Sequence, residues 1–113
     1  TLLASSAASD VYKRQFLLSP ENPYYFQGKY AAGIGSPHTP DGYVWHIGLI
    51  VQGLTASNDA EKSAILEVLK NTNAGTGHMH EGFDPDDPEH FTRPWFAWAD
   101  SMFCLLVEDF YHL

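Results

Sequence analysis

The sequence predicts an all-α fold of alternating inner and outer helices, the order expected of a two-layered helical ring, with an irregular or short β-hairpin segment ahead of the first helix. Three observations carry that expectation. Apolar residues fill nearly every position of 43–54 and again surround the axis of 94–113, so both stretches are enclosed by other protein. Between them, 58–71 is apolar on one face only. Before Tyr43, the breakers Pro20, Pro23, Gly28, Gly33, Gly35, Pro37, Pro40 and Gly42 exclude a helix longer than one or two turns.

Taken in order, residues 1–15 stand apart. The run Ser6 to Gln15 resembles the tail of truncated metagenomic gene models, where translated sequencing adapter precedes the true reading frame. The expectation is a non-native tail over 1–15, with the natural chain rejoined at Phe16 and beginning further upstream. A signal peptide is not read there, because Leu2 and Leu3 are too short an apolar core and Lys13 and Arg14 lie at its far end. Next, Tyr24-Tyr25-Phe26 and Lys29-Tyr30-Ala31 suit two short strands turning near Gly28. Ser36 to Tyr43 is a loop feeding the first inner helix, Tyr43 to Leu54, with Asp41 as its N-cap.

The outer helix runs from Asn58 to about Asn71. Asn58 as N-cap and Glu61 three residues on have the spacing of a capping box, and Ile65, Val68 and Leu69 share the dry face. A second inner helix starts at Pro94, a first-turn proline, and runs towards Leu113. If successive helices are antiparallel, both inner helices point the same way, and the loops feeding their N-termini meet on one face. Three helices cannot bury two such apolar ones, so much of the surface at 44–54 and 95–111 must face something outside this chain.

Charge narrows the partners. Fourteen acids against six Lys and Arg give a formal charge of −8, which argues against nucleic acid or an anionic membrane, since both select clustered bases. Apolar runs stop short of the roughly 20 residues that cross a bilayer. With one cysteine, Cys104, no intramolecular disulfide forms; its apolar neighbours predict a buried side chain, and the compartment stays open.

The chemistry concentrates in Gly75 to Phe96, read as an ordered site loop because glycine and proline forbid a long helix or central strand there. Glu81, beside His80, is either a general base aligning a water molecule or a loop acid capping a backbone amide. His38 is either a ligand donor or a solvated turn histidine. Trp45 and Trp95 offer an apolar floor for a sugar ring or belong to the core. Arg93 orients a ligand or, by preference, pairs with Asp84, Asp86 or Asp87. His78 and His80 with Glu81 and Asp84 have ligand types for zinc or manganese, but lack the i, i+4 histidine pair and a cysteine, so no metal and no cofactor is expected.

Several long blocks in order resemble glycoside hydrolase family 125: Leu18 to Phe26, Gly28 to Pro40, Trp45-His46-Ile47, Gly53-Leu54-Thr55, Gly75 to Glu81, Phe91-Thr92-Arg93, Trp95 to Ala99 and Ser101-Met102-Phe103. The resemblance covers essentially everything from Phe16 onward. It implies the C-terminal portion of an (α/α)6 barrel, residues 16–113, from a metal-independent exo-α-1,6-mannosidase that works with inversion. It implies an α-1,6-linked mannoside, or mannose of an N-glycan, as substrate, and the missing N-terminal part of the same barrel as partner. Glu81 then matches the general base, and His38, Trp45, His80, Arg93 and Trp95 become candidates for lining the mannose subsite. The family's aspartic general acid belongs to the upstream part, so the fragment alone is expected to be inactive. A small helical carbohydrate-binding or interaction module is the alternative from a different class.

Overall fold

The structure, a computed structural model, describes residues 12–113; most of the expected tail lies outside them. The order of elements is β1 (Tyr25–Gln27), β2 (Ala32–Ile34), β3 (Val44–Trp45), α1 (His46–Leu54), α2 (Asp59–Asn71), β4 (Gly82–Asp84), β5 (Asp87–Thr92) and α3 (Ala97–Tyr111). Residues 12–17 are also helical. Arg14 of that turn donates to the Gln52 carbonyl at 3.0 Å and pairs with Glu61 at 2.8 Å.

The fold is helical plus strand, which corrects the all-α expectation. Two antiparallel sheets form, β1-β2 and β3-β4-β5. The stretch read as a loop is largely the hairpin β4-β5, with Phe83 opposite Phe91 and an irregularity between Phe83 and Asp84. Pro88 does not prevent it, because β5 is an edge strand and spares the missing N–H. The first hairpin forms as expected, with its second strand three residues later than Lys29-Tyr30-Ala31. Its turn docks on the other hairpin: Tyr30 donates to the Pro85 carbonyl at 2.8 Å and Lys29 to Asp86 at 2.8 Å. Gly28 permits this approach, since a Cβ there would lie 2.6 Å from the Pro85 carbonyl carbon.

Helix starts also shift. Val44 and Trp45 pair with Phe83 and Gly82, so α1 begins at His46 straight out of a strand, and Asp41 caps nothing. Pro94 precedes α3 by three residues instead of opening it. Asn58 does cap α2, accepting the Glu61 amide at 2.8 Å. The reciprocal half of the capping box is not made, because the Glu61 carboxylate goes to Arg14 and Gln52.

α1 packs against both α2 and α3 and forms the middle of the helical layer. Ile47, Leu49 and Ile50 meet Ile65, Leu66 and Leu69 of α2 and Leu106 of α3 in the core. Each such side chain, fully buried, contributes roughly 1.5–3 kcal/mol. Gly53 lets the three helices close, since its Cβ would sit 3.0 Å from Leu106 and 3.3 Å from Ile65. α3 is buried only at Ala99 and Leu106 and leaves Trp98, Leu105 and Tyr111 exposed. Cys104 lies on that open side, exposed, which corrects the expectation of burial. The uncovered apolar surface therefore belongs mainly to α3, while α1 is covered within the chain except at Val51. Among the described residues, no helix is long and apolar enough to cross a membrane.

Candidate active site

Glu81 is the residue that turns the chain from the Gly75–Gly77 loop into β4. Its amide donates to the Thr92 carbonyl at 3.2 Å and its carbonyl accepts from the His46 amide at 3.3 Å. The side chain is held at both oxygens: the Thr92 hydroxyl donates to Oε1 at 3.2 Å, and Arg93 Nε lies 3.3 Å from Oε2. At 22% exposure the carboxylate still reaches solvent. It opens into a cleft of about 500 Å³ lined by Ser36, His38, Thr39, Trp45, Glu81, Arg93, Phe96 and Trp98. The loops feeding α1 and α3 thus meet on one face, as the order of the helices required. Gly82 allows the contact, because a Cβ there would come within 3.0 Å of Thr39.

Arg93 pairs with Glu81, which corrects the expected pairing with Asp84, Asp86 or Asp87. Its backbone explains the choice: φ is +57°, the left-handed region, which costs a non-glycine residue roughly 1–2 kcal/mol. That turn sends the guanidinium back over the end of β5, 5.2 Å from the Phe96 ring centre. His80 holds the turn. His80 Nδ1 lies 3.0 Å from the Arg93 carbonyl, with the ring stacked on Phe91 at 3.9 Å. On its other side Nε2 lies 3.2 Å from both the Thr76 hydroxyl and the Asn73 carbonyl.

His80 is fully buried, so among the expected subsite residues it supports the cleft wall instead of facing the cleft. Trp95 is 82% exposed and lies beside His78, outside the cleft lining. His38, Trp45, Glu81 and Arg93 do come together there. The Trp45 indole nitrogen is buried without a hydrogen-bond partner among the described residues. His78 pairs with Asp100 at 3.0 Å, turned to a different partner from His80, and among the described residues no group of three or more His, Cys, Asp and Glu is placed to hold a metal ion.

Sequence reasoning missed three contributors: Thr92, which anchors the carboxylate, and the buried pair His46 and Thr72. Burial and the neighbouring His80 push His46 down to a pKa of about 3, so its imidazole is neutral. A histidine inside an otherwise apolar run was the available signal, since both ring nitrogens need partners once buried.

Residues 2–108 match the family model of the metal-independent alpha-mannosidases, GH125. The Meiotically up-regulated gene 157 protein of Schizosaccharomyces pombe is 49% identical over 100 residues, 88% of this chain and 20% of that protein. A Streptococcus pneumoniae structure from a family of metal-independent alpha mannosidases, a non-productive substrate complex with alpha-1,6-mannobiose, superposes with a TM-score of 0.87. It is 50% identical and shares 88% of this chain and 24% of its own. The chain belongs to the GH125 metal-independent alpha-mannosidases. It spans about a fifth of the length of the yeast relative and about a quarter of the bacterial one.

Proposed function

We propose that this chain is the C-terminal part of an inverting exo-α-1,6-mannosidase on an (α/α)6 barrel, and that Glu81 is its general base. The observation that carries the reading is the Glu81 carboxylate, gripped at both oxygens by Thr92 and Arg93 yet open to a cleft walled by Trp45 and His38. A carboxylate in that setting can take a proton from a water molecule while its own orientation stays fixed. In an inverting reaction the water attacks the anomeric carbon of the terminal mannose from the face opposite the leaving oxygen, and a second carboxylic acid protonates that oxygen. The acid belongs to the upstream part of the barrel, so these 113 residues alone carry half of the catalytic pair.

The bound alpha-1,6-mannobiose of the Streptococcus pneumoniae relative supports a mannoside as the ligand class. Trp45 supplies an apolar face for the sugar ring, and His38 and Arg93 supply polar contacts to its hydroxyls. The open side of α3 supports a fragment over a self-sufficient module, because a module would cover Leu105 and Tyr111. The test is turnover of α-1,6-mannobiose by the chain joined to its upstream part, with a chelator present. Glu81→Gln is expected to lower kcat by about 10²–10⁴-fold, whereas unchanged turnover in that variant refutes the assignment.

A further inference from the structure

His46 is fully buried, and the chemistry above makes no use of it. It nevertheless touches the chain on both sides of Glu81. Its ring Nδ1 accepts the His80 amide N–H at 2.7 Å, and its own amide donates to the Glu81 carbonyl at 3.3 Å. The tautomer follows from these partners. An amide N–H can only donate, so Nδ1 is bare and Nε2–H donates to the Thr72 hydroxyl at 3.1 Å. Thr72 in turn donates to the Val68 carbonyl at 2.9 Å. The run of hydrogen bonds from the His80 amide through His46 and Thr72 to the Val68 carbonyl thereby has one direction. The Phe83 ring, centred 4.5 Å away, and the His80 ring, at 5.7 Å, pack beside the imidazole.

We propose that His46 is the positioning residue of the Glu81 carboxylate, acting through the bare Nδ1 that receives the His80 amide; the inference rests on Glu81 being the base. One residue of α1 holds the 79–80 and 81–82 peptide units, which flank the unit that Glu81 shares with His80, so the carboxylate is referred to the helical core and not only to its own hairpin. The amide it receives belongs to His80, whose ring holds the Arg93 carbonyl and hence the guanidinium beside Glu81. Loss of the acceptor leaves a buried N–H without a partner and frees the backbone at the base. Displacement of a catalytic group by about 1 Å is enough to cost on the order of 10²-fold in rate.

The experiment uses the chain joined to its upstream part, with α-1,6-mannobiose as substrate. His46→Phe keeps a ring but removes the acceptor; it should lower kcat by about 10–100-fold with KM little changed. His46→Asn, whose Oδ1 can stand where Nδ1 stood, should recover most of that loss. Equal impairment of the two variants, or a loss carried by KM, overturns the proposal. Long-range proton–nitrogen NMR of the unmutated protein reads the ring without reference to activity: a bare Nδ1 with a proton on Nε2 is expected, and a proton on Nδ1 overturns it. Full turnover of Glu81→Gln would instead remove the base reading, and the catalytic role of His46 with it, while leaving the ring assignment to the NMR.

Discussion

Four bonds leave Glu81 little freedom: two through its backbone to Thr92 and His46, two through its carboxylate to Thr92 and Arg93. At this scale the sequence was informative where chemistry is local. An acid beside a histidine in a glycine-flanked stretch pointed to Glu81, and His38, Trp45 and Arg93 do share its cleft. It was uninformative where burial decides the role. His80 was a candidate for the mannose subsite and is buried against Phe91, and His46 was not singled out within its apolar helix. His46 also makes stability depend on pH. Its folded pKa of about 3 lies below the ordinary 6.5, so below pH 6.5 the unfolded chain takes up a proton that the folded one refuses. Stability is full above that value and falls as pH drops towards about 3, by up to roughly 1.4 kcal/mol per pH unit. Denaturant titrations across this range should show the slope in the unmutated protein and lose its His46 share in His46→Asn; identical slopes would remove the assignment.

Among the elements, the helices and the first hairpin were legible and the sheet β3-β4-β5 was not. Helical periodicity and the Asn58 cap located α2 to within a residue, because a cap and a one-sided apolar face are both local signals. Replacing Asn58 by Ala should cost about 1 kcal/mol, seen as a lower thermal midpoint with the fold retained; no change would mean that the Arg14–Glu61 pair, not the cap, holds that end. The pairing of β3 with β4 was hidden because both strands are short and Val44 finds Phe83 across 39 residues. Pro88 and the glycines argued for a loop, and only the edge position of β5 makes them compatible with a strand. The start of α1 moved for the same reason, since Val44 and Trp45 were drawn into the sheet.

For the whole molecule, the apolar side of α3 is the feature that the chain by itself leaves unfinished. Trp98 and Leu105 are 58% and 51% exposed, a pairing of large apolar groups that an isolated chain would shield by self-association. The 113-residue chain is therefore expected to run larger than a monomer in sedimentation, and Leu105→Glu to shift it back; a monodisperse monomer without the substitution would favour a self-sufficient module. The surplus of apolar residues on two helices was legible in composition, whereas which of the two stays open was set by α2 and Leu106 closing over α1. The central claim is that Glu81 is the base of an inverting reaction, and the most direct measurement is the anomer first released from α-1,6-mannobiose, followed by proton NMR in the chain joined to its upstream part. β-Mannose is expected as the initial product in the presence of a chelator, and none above background from Glu81→Gln. Initial release of α-mannose, or the same β-mannose rate in the variant, would contradict it.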